Sequence, residues 1–256
     1  MYEDELKLAN EMADRAAAIG MGFFRGEFTV TSKADHTPVT EADFAIEAMV
    51  REMLAERFPT DAVLGEEAGL EGESDRVWVI DPIDGTKNFA GGIQLWATLI
   101  SLRIDDRPVL GVASAPAIGE RYEAITGQGA TLNGGPIHVA DVDTIRRAII
   151  TYGGLSGWLR APWHDAFVDL IHSCRRSRGV GDFWGHMLVA RGSAEVMMEL
   201  ELRIWDTSAV QVIVEEAGGR MTALDGSALE DRGSAISTNG KLHDEIIERF
   251  RACSPT

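Results

Sequence analysis

The sequence predicts a mixed α+β and α/β fold, in which a sheet of antiparallel hairpins packs against an alternating α/β layer. Between Thr98 and Ala124, strand-like runs follow one another with only tight turns between them, as hairpins do and βαβ units do not. From Ala148 to Phe250, by contrast, strand-length apolar runs alternate with helix-length amphipathic ones, a pattern that builds strands covered by helices. The 256 residues suffice for a large core, as one domain or two closely packed halves. Asp141 and Asp143 interrupt the apolar pattern near residue 140, so the halves are expected to be 1–140 and 141–256.

In chain order, Leu6, Ala9, Ala13, Ala16, Ala17 and Phe23 recur at near-helical spacing and predict an amphipathic helix from Glu3 to about Phe24. Phe28 to Lys33 reads as a strand, and Ala34 to Pro38 as a turn-rich connection. Thr40 is placed to cap a second helix, with Asp43 answering it in a capping box, and Ile46, Met49, Val50, Met53 and Leu54 form its buried stripe. Ala62 to Leu64 predicts a short strand running into Gly65-Glu66-Glu67. Past the hairpins, Ala148 to Tyr152, Ser177 to Val180 and Ala194 to Leu200 read as strands. Helices are expected over Pro162 to Cys174, Asp182 to Arg191 and Asp206 to Ala217, the last ended by Gly218-Gly219. Met221 to Leu224 and Ser234 to Ser237 add short strands before a closing helix, Leu242 to Phe250.

The formal net charge of −17 argues against a nucleic-acid or anionic-membrane surface, since both require basic patches. It does not argue against a phosphate substrate whose charge is met by bound cations. Two cysteines make neither a disulfide framework nor a zinc cluster, and a reducing cytoplasm is the expected setting. The acidic, amphipathic start is unlike a signal peptide, and no apolar run approaches the roughly 20 residues that span a bilayer.

The chemistry concentrates in Trp78-Val79-Ile80-Asp81-Pro82-Ile83-Asp84-Gly85-Thr86. A short buried strand, Val77 to Ile80, delivers Asp81 to its end, and Pro82 is expected to stop further ladder pairing. Asp84 follows, and Gly85-Thr86 suits the opening of a helix whose first N–H groups face an anion. Two carboxylates, a hydroxyl and backbone donors in one turn suit phosphate only with divalent cations between, and Mg²⁺ is shared in this way by carboxylates and phosphate. The same residues also suit an ordinary Asx-turn and helix cap. Glu66 is a candidate third carboxylate, if its strand lies beside the one bearing Asp81. Asp206, at a helix start, suits either an N-cap or a metal ligand.

Taken together, Gly65-Glu66-Glu67, Asp81-Pro82-Ile83-Asp84-Gly85-Thr86, and Trp205-Asp206 with Glu216-Ala217-Gly218-Gly219 resemble the inositol-monophosphatase-like superfamily of Mg²⁺-dependent phosphatases. Gly85 to Phe89, Trp96 to Ile100, Leu155 to Trp158 and Gly181 to Phe183 are most similar to its bacterial histidinol-phosphate phosphatases. The resemblance implies a layered αβαβα sandwich, commonly a homodimer. It implies that Glu66, Asp81 and the Ile83 carbonyl hold one Mg²⁺, that Asp81, Asp84 and Asp206 hold a second, and that a looser third sits by Glu66. Asp43, Glu66 and Thr86 would serve catalysis by orienting or activating the attacking water, and the N–H groups of Gly85 and Thr86 would hold phosphate. Glu67 would support the site without ligating. No Ser-His-Asp or Cys-His nucleophile is required, and the six histidines show no metal-ligand spacing.

For the leaving group, the resemblance implies that Asp182 and Glu199 lie on the substrate-facing wall as substrate-binding acids, with a helix cap and a solvated strand end as their structural alternatives. Trp158, Trp163 and Trp184 are candidates to stack on a ring, with packing as the plainer role. The implied activity is hydrolysis of histidinol phosphate by metal-activated water. Inositol-1-phosphate or broad sugar-phosphate hydrolysis is the alternative, and non-catalytic metal binding the third reading.

Overall fold

The computed structural model describes residues 1–26, 30–32, 38–229 and 233–252. The predicted strand over Phe28–Lys33 and connection over Ala34–Pro38 therefore fall partly outside the described residues. Helix α1 (Glu3–Phe23) leads to a two-stranded pair, β1 (Val30–Ser32) and β2 (Pro38–Thr40), and then to α2 (Glu41–Arg57). Strands β3 (Ala62–Gly65), β4 (Gly69–Glu71) and β5 (Arg76–Asp84) precede the short helix α3 (Thr86–Ala90). The hairpin strands are β6 (Ala97–Ile104), β7 (Arg107–Ala115), β8 (Glu120–Ile125), β9 (Ala130–Leu132) and β10 (Gly135–Ile137). Then come β11 (Ile149–Tyr152), α4 (Leu155–Trp158), α5 (His164–Ser173), β12 (Arg176–Gly179), α6 (Asp182–Ala190) and β13 (Val196–Leu202). Helix α7 (Ile204–Glu216), β14 (Arg220–Thr222), β15 (Gly233–Thr238) and α8 (His243–Ala252) complete the order.

Strands β3 to β10 form an eight-stranded sheet in the order β10-β9-β8-β7-β6-β5-β3-β4, antiparallel except where β3 runs parallel to β5. Strands β11 to β15 form a mixed five-stranded sheet in the order β12-β11-β13-β15-β14. Period-two alternation sorts the larger sheet's side chains. On β6, Ile100 and Leu102 join Trp78, Ile80 and Val112 beneath α1 and α2, whereas Ala97 and Leu99 join Ala113 and Tyr122 beneath α6 and α7. The smaller sheet turns Ile150, Val196 and Ile236 toward Phe167 and Leu170 of α5 and Ile246 and Phe250 of α8. The layers are therefore helix, sheet, helix, sheet, helix, with α6 and α7 shared between the sheets.

The main departure from the sequence reading is at Pro82. The strand continues through it to Asp84 instead of ending at Ile80. Asp81 pairs with Leu99 and Asp84 with Ala97, so three steps on β5 oppose two on β6, which is a β-bulge. Proline fits there because a bulge leaves a ladder position without a required donor. The Thr98 hydroxyl donates to the Pro82 carbonyl at 2.8 Å, securing the bulge.

Candidate active site

The bulge has a direct chemical consequence. Residues three apart in a regular strand face opposite sides, but one inserted residue returns both to the same side. Asp81 and Asp84 thus point together, and Asp206 reaches them from α7. Single carboxylate oxygens of Asp81, Asp84 and Asp206 all lie within 4.8 Å of one another. Asp206 stands in the first turn of its helix and not at the N-cap, which is Arg203. Its Oδ2 accepts the Arg203 N–H at 2.7 Å, so one oxygen closes the helix start while the carboxylate still faces the cluster. The N-cap reading is thus corrected to a contact from the third helical position back to the Arg203 N–H, made by a carboxylate that also belongs to the cluster.

Asp81 and Asp84 are almost completely buried. Burial, and then the charges of Glu66, Asp84 and Asp206, hold the Asp81 carboxyl well above the usual carboxylate range. Burial, and then Asp182 and Asp206, do the same to Asp84, opposed by the Phe183 N–H that donates to its Oδ2 at 2.8 Å. Asp206 is pushed up to about 7, chiefly by burial. Asp81 Oδ1 is buried with no hydrogen-bond partner among the described residues. Buried acids that repel one another, one with an unmet oxygen, fit a hard divalent cation, which would neutralise the charge and satisfy that atom.

Glu66 follows the strand that pairs in parallel with β5, and its N–H donates to the Ile80 carbonyl at 3.2 Å, so it flanks Asp81. It lies outside the tight triad, yet its charge acts on both Asp81 and Asp206. What orients this turn is Glu47, which sequence reasoning overlooked. Its buried carboxylate accepts the N–H groups of Glu67 and Ala68 at 2.8 and 3.0 Å and is held by Arg51 at 2.8 Å. The visible signal was a glutamate one turn after Asp43, next to the apolar stripe.

Gly65 is required by space. A Cβ there would lie 2.2 Å from Glu47 Oε1. Gly65→Ala is expected to displace that carboxylate and cost ~1–3 kcal/mol, as overpacking does. Its melting temperature should fall by several degrees, and unchanged melting would remove Glu47 from this account.

Asp43 Oδ2 accepts both the N–H and the hydroxyl of Thr40, at 2.8 and 2.5 Å, as the capping box predicted. Its charge nonetheless reaches Asp81, so the helix start borders the cluster. The Thr86 hydroxyl donates to the Ile83 carbonyl at 3.0 Å, joining two of the sequence-predicted residues. Gly85 adopts φ 81, and a Cβ there would meet the Leu95 carbonyl at 3.0 Å, so only glycine suits the entry to α3.

Asp182 opens α6 with φ 59, an uncommon backbone state, and its Oδ2 accepts from Asn88 Nδ2 at 2.9 Å. Burial, then Glu199, push its carboxyl up to about 7, with Lys87 opposing. Glu199 is buried, not at a solvated strand end, and its Oε1 accepts the Asp182 N–H at 3.2 Å. Trp158 and Trp184 are packing residues. Trp158 stacks on Phe167 at 4.6 Å, and Trp184 donates to Glu120 at 3.1 Å with the Arg191 guanidinium over its ring. Trp163 lines a separate cavity of about 520 Å³ beside Arg160 and Glu201.

No helix among the described residues is long and apolar enough to cross a membrane. Comparison with known proteins places this architecture. Residues 1–254 match the model of the inositol monophosphatase family. The chain is 44% identical to a histidinol-phosphatase of Streptomyces coelicolor, over 96% of each chain. It is 42% identical to a histidinol-phosphatase of Mycobacterium tuberculosis, over 98% of this chain and 100% of the relative. Among solved structures, an inositol monophosphatase from Anabaena superposes with a TM-score of 0.86 at 30% identity, covering 99% of this chain and 97% of the other. On its sequence, its layered fold and its convergent acids, the chain is a phosphatase that belongs to the inositol monophosphatase family.

Proposed function

We propose that the protein is a Mg²⁺-dependent histidinol-phosphate phosphatase, converting L-histidinol phosphate and water to L-histidinol and phosphate in histidine biosynthesis. One observation carries the substrate choice: acid in excess of the Asp81, Asp84 and Asp206 cluster. Asp182 and Glu199 are both within electrostatic reach of Asp84, and a leaving group bearing an ammonium and an imidazole would balance them. The relatives from Streptomyces coelicolor and Mycobacterium tuberculosis support the same choice.

In this reading Glu66, Asp81 and the Ile83 carbonyl would hold one Mg²⁺, Asp81, Asp84 and Asp206 a second, with a looser third near Glu66. When bound, the ions lower the pKa of water and offset charge on the phosphoryl and leaving oxygens. The chain's own groups do the orienting. With its hydrogen committed to the Ile83 carbonyl, the Thr86 hydroxyl keeps lone pairs that accept from the attacking water. Asp43, whose charge reaches Asp81, would help take up that proton. The Gly85 and Thr86 N–H groups would hold phosphoryl oxygens as charge builds there. Water attacks phosphorus in line, the bond to the histidinol oxygen breaks, and that oxygen leaves with a proton. Asp182 and Glu199 bind the cationic end. A homodimer in the cytoplasm belongs to the same reading, and sedimentation velocity of the purified protein would test the dimer.

The deciding experiment measures kcat/KM side by side on histidinol phosphate and inositol-1-phosphate with Mg²⁺. A clear preference for histidinol phosphate is expected. Preference for inositol-1-phosphate would move the assignment to the alternative, because Glu199 can also accept from hydroxyls. Turnover of neither would leave a non-catalytic metal-binding protein.

A further inference from the structure

Glu199 is held in an unusual way. Its carboxylate lies over two glycines, where a Cβ on Gly153 or Gly181 would come within 2.5 or 3.1 Å of Oε1. Side chains there would evict it. Oε1 takes the Asp182 N–H, but Oε2 is buried with no hydrogen-bond partner among the described residues. Facing Oε2 at 3.6 Å is Nε2 of His186, itself only 2% exposed. His186 lies one helical turn after Asp182, so the same face of α6 presents both groups to Glu199. On its other side, His186 Nδ1 lies 2.7 Å from the hydroxyl of Ser237, a fully buried residue of β15.

This Ser237–His186–Glu199 line has one electrostatically sound protonation pattern for a neutral ring. If Nδ1 carried the hydrogen, the Nε2 lone pair would face carboxylate lone pairs in a dry interior. If Ser237 donates to Nδ1, the hydrogen sits on Nε2 and points at Oε2. The carboxylate thus selects the tautomer, the serine satisfies the Nδ1 it leaves bare, and the imidazole steadies the acid. Glu199 in turn acts electrostatically on Asp84 and Asp206, two acids of the cluster.

We infer that Ser237 and His186 form a buried positioning relay that aims Glu199 at the ammonium-bearing leaving group and thereby sets the preference for cationic phosphate monoesters. His186 is a positioning residue and touches neither phosphorus nor the attacking water. The inference rests on the histidinol-phosphate reading.

The test compares S237A, H186L and H186Q on histidinol phosphate and on 4-nitrophenyl phosphate, which carries no amine. S237A and H186L should raise KM for histidinol phosphate ~10-fold, or ~1.4 kcal/mol of binding, while kcat stays within about threefold. H186Q keeps an amide donor near the Nε2 position and should recover most of the loss. KM for 4-nitrophenyl phosphate should not move in any variant. Equal KM changes on both substrates, or lower melting temperatures with both KM values unchanged, would reduce the pair to packing and overturn the relay. A readout independent of substrate is the ¹⁵N spectrum of the His186 ring. Wild type should show the Nε2–H tautomer. An Nδ1–H or doubly protonated ring in wild type at neutral pH would overturn the relay even with the substrate confirmed. The expected tautomer in an enzyme that does not prefer histidinol phosphate would overturn the specificity role, while showing that the substrate reading is what failed.

Discussion

Asp81→Asn is expected to lower kcat/KM by ~10³-fold or more in saturating Mg²⁺, corresponding to the loss of ~4 kcal/mol of transition-state stabilisation. The same substitution should make the metal-free protein more stable, an effect of opposite sign. Asp81 is buried, and Glu66, Asp84 and Asp206 all disfavour its charge. An amide of the same shape removes that repulsion. The metal-free wild type should show the underlying strain as a pH dependence. Asp206 titrates at an ordinary value of 3.8 when unfolded but at about 7 when folded. Between roughly pH 4 and 7 the unfolded chain therefore releases a proton that the folded chain keeps, and stability falls as pH rises through that window. Below it both states are protonated, and above it both are ionised, so the loss levels off. Mg²⁺ should raise the melting temperature more at pH 8 than at pH 5, and the difference should shrink in the Asn variant. For a chain of this size each kcal/mol moves the midpoint by about 2–4 °C, well within calorimetric precision. Near wild-type turnover, or a metal-free Asn variant less stable than wild type, would end the account of a shared cation site.

Glu199→Gln should separate binding of the leaving group from phosphoryl chemistry. The substitution keeps the shape over Gly153 and the acceptor for the Asp182 N–H, but removes the negative charge. Losing one partner of a desolvated ion pair costs about 2–5 kcal/mol, so kcat/KM on histidinol phosphate should fall ~30-fold or more. On 4-nitrophenyl phosphate the change should stay within about threefold, since no ammonium is left unpaired. Parallel losses on both substrates would assign Glu199 to the metal cluster or to folding, and would remove the cationic pocket from the proposal.

How much of this was legible in one dimension follows from the range of each interaction. The helices over Glu3–Phe23 and Glu41–Arg57 were readable because period and capping residues lie within a few positions of one another. The hairpins between Ala97 and Ile125 were readable from their tight turns. The small strands Gly69–Glu71, Ala130–Leu132 and Gly135–Ile137 were missed, because three residues carry too little pattern against their turn-forming neighbours. Asp81, Asp84 and Asp206 were identifiable as residues, yet their common orientation was not. That depends on a bulge defined by pairing with Leu99 and Ala97 on another strand.

By itself, then, the sequence determined the layered class, the acidic character of the site and the family motifs, all of which are written in local composition and order. Only the tertiary structure decided that Asp206 both closes a helix and joins the cluster, that Glu47 orders the Glu66 turn, and that His186 and Ser237 stand behind Glu199. The reason is physical. Burial and charge–charge repulsion are properties of separations in space, and Asp81 and Asp206 come within 4.8 Å only because β5 and α7 pack face to face across more than a hundred residues of chain.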